Sequence, residues 1–430
     1  MQLRIFLVCA SFLCASSAWA DGYLTAAAGG AGEWGRLPAY TGLVATRTLA
    51  PISINTTNKQ LMSRSPHYMR DSVTQVKVLF PNWYVNPSST HAELGSGADA
   101  TITASIEYPA GVFTQILFGG LSSGTVPDGG NLVSDWVTVT IPDGALMWVR
   151  TFWTSTAGVL TIPHDLTGTG LPGAGLEVAV SGLTDKTMSG TVTAGDNEYS
   201  PVAIVATTTR PSVVIVGDSI CLGDSSREVT GDASGDFGIV ARSIGPNYAY
   251  ASYCQNGDQA EDIVASHTNR AALFAYASHL ISEYGSNDLY TNNASAATVL
   301  GLLQTIWGWM TDLGGHAYQT TITPRTTSTD NWATTGNQSQ VSGVINTRRL
   351  DLNTQIRGMA SGLSGYFDVA DSAETARNSG LWRTTGAANG YVADGIHPNT
   401  AGSVLVRDSR AINLRSPLQN LGRLTPAGGR

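Results

Sequence analysis

Hydrophobic and polar positions change rhythm once along the chain, close to residue 210. Before that point apolar residues alternate with polar ones. Thr101 to Tyr108 puts Ile102, Ala104, Ile106 and Tyr108 on one face, and Val137, Val139 and Ile141 repeat the step of two. Pro127-Asp128-Gly129-Gly130 and Pro142-Asp143-Gly144 separate such runs as turns, and Leu146 to Trp153 is apolar on both faces, as a central strand is. The pattern predicts an all-β sandwich, jelly-roll-like, over residues 21–209. Thr207-Thr208-Thr209-Arg210-Pro211 reads as a linker. Beyond it, the fully apolar run Val213 to Val216 and further short strands (Tyr248 to Tyr253, His279 to Tyr284, Tyr318 to Thr323, Tyr366 to Ala370) alternate with helical stretches, which predicts a parallel sheet in a doubly wound α/β domain over 210–416. The plainest helix, Ser295 to Leu313, repeats Val299, Leu303, Ile306, Met310 and Leu313 at steps of four and three and stops at Gly314. A last helix, Thr400 to Ile412, precedes a loose tail over 417–430.

Length and composition agree with two folded parts. A chain of 430 residues exceeds the ~250 to 300 at which a single core stops growing. With 42% hydrophobic and 13% charged residues, it can bury a large core under a surface rich in Ser, Thr, Asn and Gly. The first twenty residues read as a secretory signal: Arg4, the mostly apolar stretch Ile5 to Cys14, then Ala18-Trp19-Ala20 before Asp21. That stretch is too short to cross ~30 Å of hydrocarbon. A secreted product, periplasmic or extracellular, is expected after cleavage near Ala20. Loss of Arg4 takes the net charge from −8 to −9. An acidic chain with no Lys/Arg cluster excludes nucleic acid and anionic lipid surfaces as expected partners. Cys9 and Cys14 leave with the signal, and the remaining pair, Cys221 and Cys254, favours a disulfide in an oxidising compartment over two inert buried thiols.

Four short segments carry candidate chemistry. Ser219, in Gly217-Asp218-Ser219-Ile220, follows an apolar strand at the carboxyl edge of the predicted sheet, where an accessible nucleophile belongs; by itself the segment fits a plain strand-to-helix turn equally well. Gly257 precedes Asp258, which with Glu261 resembles a capping box for a helix over Asp258 to Ser266 and so places the glycine N–H at a helix start; a turn glycine is the plainer alternative. Asn287, in Gly285-Ser286-Asn287-Asp288, lies past the next strand, where its amide can donate to a developing oxyanion or merely shape a loop. Asp394 and His397 share the turn Asp394-Gly395-Ile396-His397-Pro398, which lets a carboxylate orient an imidazole that in turn takes the serine proton. The remaining histidines, His67, His91, His164, His267, His279 and His316, are expected to be structural or superficial.

Taken in order, the four blocks resemble the SGNH (GDSL-type) hydrolases, over about Ser212 to Ile412. The resemblance implies a flavodoxin-like α/β domain, a Ser219–His397–Asp394 triad, and an oxyanion hole from the Ser219 and Gly257 N–H groups and the Asn287 side chain. Ile220 stands where Leu is more usual, and Cys221 so close to the nucleophile is unexpected; bridged to Cys254 it would tie the nucleophile loop to the segment before Gly257. Arg325, in Pro324-Arg325-Thr326, falls on the same edge and is a candidate substrate contact or a surface salt bridge.

Other chemistries have little support. Gly217 to Gly223 lacks the spacing of dinucleotide and phosphate loops, no His/carboxylate set has metal-ligand spacing along the chain, and no cofactor is expected. The expectation is a secreted serine esterase acting through an acyl-serine on acyl esters, with an acetylated glycan as the leading substrate. A broad lipase or short-chain esterase is the alternative, as is a glycan-binding or adhesin protein with an auxiliary esterase.

Overall fold

Two antiparallel sheets make up the first half of the chain in the computed structural model, which describes residues 37–161, 171–195, 198–226 and 235–415. The expected signal segment 1–20, His164 and the tail 417–430 lie outside the described residues. In one sheet, Val73–Pro81 pairs with Ala203–Thr208, Asn131–Val133 and Val137–Ile141, and Tyr40–Leu43 adds to the far side of Ala203–Thr208. In the other, Leu146–Ser155 is hydrogen-bonded on both edges, to Gln60–Tyr68 and Ala100–Glu107, in keeping with its unbroken apolar character. Alternation has the expected effect: Ile102, Ala104 and Ile106 are fully buried and meet Val76, Val78, Phe80 and Ile204 of the first sheet in one apolar cluster. Each such aliphatic or aromatic side chain contributes roughly 1.5 to 3 kcal/mol by leaving water.

The second half is built on a parallel sheet. Its strands lie in the order Ala249–Ser252, Ser212–Val216, His279–Ser282, His316–Thr320, Gly365–Phe367, and every neighbouring pair is parallel. Numbered along the chain from Ser212–Val216, this is the 2-1-3-4-5 order of doubly wound folds, in which ligands bind beyond the carboxyl ends of the strands where the order reverses. Helix Ala296–Thr311 packs on one face. The Ser295 hydroxyl accepts from the Thr298 N–H at 3.1 Å and sets its start. Val299, Leu303, Ile306 and Met310 are buried as their spacing requires, and Trp307 is buried with them. Leu313 departs from the expected stripe: it lies beyond the last turn and is 56% exposed. The last helix, Thr400–Ser409, opens on Asn399 and ends three residues earlier than the pattern implies, at Arg410 with φ 58°. Helix Gly343–Arg357, which periodicity does not announce, carries buried Asn346, Arg349 and Asn353 among its apolar positions.

No slack linker separates the halves. Thr48–Leu49, from the first half, pairs in parallel with Ala251–Ser252 and extends the second sheet by a strand. Leu43, Leu79, Trp83, Val85 and Val205 share one apolar cluster with Val214, Val216, Tyr253, Leu280 and the helix Ala296–Thr311. The described residues accordingly fall in one compact unit. None of their helices is long and apolar enough to cross a membrane.

Candidate active site

Strand Ser212–Val216 delivers Ser219 to the carboxyl edge of the sheet by a short route. Gly217 turns the chain where a Cβ would stand 2.7 Å from the Cβ of Cys221 and 2.9 Å from that of Glu283, so no larger residue fits without displacement. Asp218 then caps the one-turn helix Ser219–Leu222 by accepting from the Ile220 N–H at 2.9 Å. Burial raises the pKa of two carboxyls near this turn, those of Asp218 and Glu283. Asp218 is partly compensated by that N–H and by Arg325 and His397, whereas Glu283 is pushed well above its ordinary range and Asp218 adds to the shift.

The Asp394–His397 turn meets Ser219 from the other end of the chain. Ser219 Oγ lies 2.7 Å from His397 Nε2, and His397 Nδ1 lies 2.6 Å from Asp394 Oδ2. A proton on Nδ1 donated to the carboxylate leaves Nε2 free to accept from the serine hydroxyl. Asp394 Oδ1 accepts from the N–H groups of Ile396 and His397, both at 2.8 Å, so the carboxylate is fixed by the turn it belongs to. Burial works against its charge, but these bonds and the imidazole hold its pKa down to about 2. Burial likewise works against a charged His397, and the hydrogen bond and charge of Asp394 outweigh it, so the imidazole pKa is raised.

Gly395 shows why that turn is so constrained. Its φ is 77°, and a Cβ there would stand 1.9 Å from the Thr326 carbonyl oxygen and 2.7 Å from the Trp332 ring. Its own carbonyl accepts from the Trp382 indole and from the Thr326 N–H, each at 3.0 Å. Trp332 and Trp382 thus brace the Asp394–His397 turn, a role that nothing in their local sequence signals.

Gly257 and Asn287 come together beside the end of strand Ser212–Val216. The Gln255 N–H donates to the Gly217 carbonyl at 3.2 Å, Gly257 adopts φ 80°, and Asn287 Nδ2 donates to the Asp258 carbonyl at 3.1 Å. The expected capping box does not form. Helix Ala260–Ala265 begins after Gln259 with no cap from its own side chain, and Asp288 instead accepts from the N–H groups of Ala260 at 3.1 Å and Glu261 at 3.3 Å. Burial, eased by those N–H groups, moves the Asp288 pKa up to about 6. Asp258 is taken by other partners, Arg270 at 2.7 Å and Tyr284 at 2.6 Å. A cap brought from a distant loop has no local sequence pattern, which is why the spacing misled. Gly257 consequently lies three residues before the helix rather than immediately before its cap.

Cys221 and Cys254 are disulfide-bonded with Cα atoms 5.9 Å apart, and the bridge joins the helix Ser219–Leu222 to the segment leading into Gly257. Arg325 is neither a surface salt bridge nor an open contact. Its Nη2 donates to Asn287 Oδ1 at 2.5 Å and its Nε to Ser286 Oγ at 3.1 Å, and the guanidinium lies 5.0 Å from the Tyr290 ring centroid. By occupying Oδ1 it fixes which end of the Asn287 amide faces the site.

Among the described residues, His91, Asp258 and Asp262 bring possible metal-ligand atoms within 4.8 Å of one another. The donor set does not fit a cation. Asp258 Oδ2 already accepts from Arg270 and Tyr284, its Oδ1 accepts from the Gln259 N–H at 3.0 Å, and Asp262 is paired with His91 at 2.7 Å. Elsewhere, His67 and His279 are buried, and burial pushes each pKa down to about 3, as expected of structural imidazoles.

A Ser–His–Asp chain on the edge of the parallel sheet of a flavodoxin-like domain, with a loop glycine and an asparagine amide beside it, is what the resemblance of the four blocks implies. Ser219, His397 and Asp394 lie in one hydrogen-bonded line. No family model matches the sequence, and no curated protein matches it. Among solved structures, the chain is similar to a Bacillus subtilis protein (15% identity, 83% of this chain and 80% of that one, TM-score 0.35). It is also similar to an acetyl-xylooligosaccharide esterase from Geobacillus (14%, 49% and 96%, TM-score 0.35) and to a GDSL-like lipase from Bacteroides thetaiotaomicron (13%, 47% and 87%, TM-score 0.33). Likenesses this slight carry no weight in the functional reading, which rests on the site.

Proposed function

We propose that the chain is a secreted serine ester hydrolase of the SGNH type, acting on O-acetyl esters of carbohydrate. The observation that carries the reading is the hydrogen-bonded line from Ser219 Oγ through both nitrogens of His397 to Asp394. As Ser219 Oγ bonds to the ester carbonyl carbon, His397 Nε2 takes the hydroxyl proton and Asp394 stabilises the resulting imidazolium. The carbonyl oxygen becomes an oxyanion held by the Ser219 and Gly257 N–H groups and by the second amide proton of Asn287, the first being engaged by Asp258. Collapse breaks the ester bond, and the departing alcohol takes the proton from Nε2. Water then attacks the acyl-serine by the same route in reverse and releases the acid.

Secretion is supported by the disulfide and by the leader-like composition of residues 1–20. In this reading the two sheets of the first half form an accessory sandwich. The test is a panel of 4-nitrophenyl acetate, butyrate and long-chain esters together with acetylated xylan, with Ser219→Ala as the blank. Turnover concentrated on acetyl esters and lost in Ser219→Ala is expected. Preference for long chains would replace the carbohydrate reading with a lipase, and turnover surviving in Ser219→Ala would overturn the mechanism.

A further inference from the structure

A histidine from the first half of the chain lies against the proposed oxyanion glycine. His91 sits in the loop between the paired strands Trp83–Val85 and Glu93–Gly95, at a φ of 41°. A Cβ placed on Gly257 would stand 3.0 Å from His91 Nε2 and 3.4 Å from its Cε1, so the edge of the imidazole backs the glycine directly. The other nitrogen, Nδ1, lies 2.7 Å from Asp262 Oδ2, in the helix that follows Gly257. The ring therefore bridges the glycine loop and the helix it leads into, and its side chain is only 7% exposed.

The hairpin that carries His91 is fastened on both sides of Gly257. Two residues before the glycine, Gln255 Nε2 donates to the Val85 carbonyl at 2.6 Å. One residue after it, Asp258 is bonded to Arg270, whose Nε reaches Glu93 at 3.1 Å and whose N–H donates to the same carboxylate at 2.9 Å. Arg270 and Asp258 are fully buried, so this connection is shielded from water and does not wander as a surface pair would. Gly257 itself has no side chain with which to hold its conformation, and glycine has more backbone freedom to lose than any other residue. Something outside the loop must hold its N–H in one direction if that group is to meet an oxyanion, because preorganised donors are what make such a site effective.

We infer that His91 is the positioning residue of this site: held by Asp262, its imidazole fixes the Gly257 peptide, so that the first half of the chain completes the oxyanion hole of the second. The inference rests on the esterase reading for its consequence in catalysis, but the position of Gly257 is measurable without it. The full chain is labelled with carbonyl-13C asparagine and 15N-glycine, which selects only the two Asn-Gly amides, Gly257 and Gly390. His91→Ala and His91→Gln are expected to shift the Gly257 resonance and leave Gly390 in place. In the same variants kcat on 4-nitrophenyl acetate is expected to fall roughly tenfold with KM little changed, less than the ~10²- to 10³-fold typical of removing a donor outright. His91→Gln is expected to retain more activity than His91→Ala, and added imidazole to restore part of what His91→Ala loses. An unmoved Gly257 resonance in a folded His91→Gln variant overturns the inference, as does an unchanged kcat in an active enzyme. Absence of Ser219-dependent turnover in the unaltered chain would instead sink the esterase reading, and the resonance would still decide where His91 acts.

Discussion

His397 can act as a base only when neutral, so the sign of its pKa shift decides where activity begins. Its folded-state pKa lies above the ordinary value near 6.5, because Asp394 favours the imidazolium more than burial disfavours it. Activity should therefore rise with pH, with a midpoint above that of a free histidine, and be lost as pH falls through it. Replacing Asp394 with Asn removes both the charge and the acceptor that holds Nδ1–H. The expected outcome is a fall in kcat of roughly a thousandfold or more, with the remaining activity starting at lower pH. Initial rates from pH 4 to 9 for both proteins check this; a midpoint unmoved by Asp394→Asn would mean that the carboxylate does not set the titration. Arg325 acts at the same scale by a different route. Besides easing the burial of Asp218, it donates to the oxygen of Asn287, which holds the amide in one orientation.

At the scale of elements, each of the four blocks was legible because its residues are contiguous and follow one strand or fill one turn, so chemistry and position are written together. The strands of the parallel sheet were legible in part: Ser212–Val216 is an apolar run buried throughout, whereas His316–Thr320 carries His, Gln and Thr, and the strand expected from Tyr366 to Ala370 ends at Phe367, where the chain turns into the helix Val369–Ala373. What joins the blocks was not. Asp288 caps a helix that starts at Ala260, and Arg325 selects the orientation of Asn287, through contacts between segments separated by dozens of residues. Spacing along the chain cannot encode such pairs. The disulfide is the exception, because Cys221 and Cys254 are the only cysteines beyond the first twenty residues. It closes a loop with a sequence separation of 33 residues, which on the chain-entropy account stabilises the fold by about 3 to 4 kcal/mol. Denaturant unfolding of Cys221→Ala/Cys254→Ala should show a loss of that order. A loss below about 1 kcal/mol would mean that residual structure in the unfolded chain already restrains the loop.

For the molecule as a whole, the change of rhythm near residue 210 suggested two bodies joined by a linker, and packing between them is the part the pattern could not reveal. A strand pattern shows which face is apolar but not what covers it. Here the apolar side chains of Leu79, Trp83, Val85 and Val205 pack with those of Val214, Tyr253 and Leu280, and Thr48–Leu49 covers what would otherwise be the open edge of the parallel sheet. Tyr253 adds a buried hydrogen bond to the Val202 carbonyl at 2.9 Å, and Arg70 one to the Gly245 carbonyl at 2.6 Å. A fragment over 210–430 would expose this surface. At roughly 1.5 to 3 kcal/mol for each large side chain returned to water, the loss is comparable to the whole net stability of about 5 to 15 kcal/mol expected of a native protein. The full chain should therefore unfold in one transition by near-UV circular dichroism, and the fragment should lack near-UV ellipticity and aggregate. A fragment that melts cooperatively and hydrolyses acetyl esters at the full rate would show that the second half stands alone, and would remove the reason for the hairpin carrying His91 to reach the Gly257 loop at all.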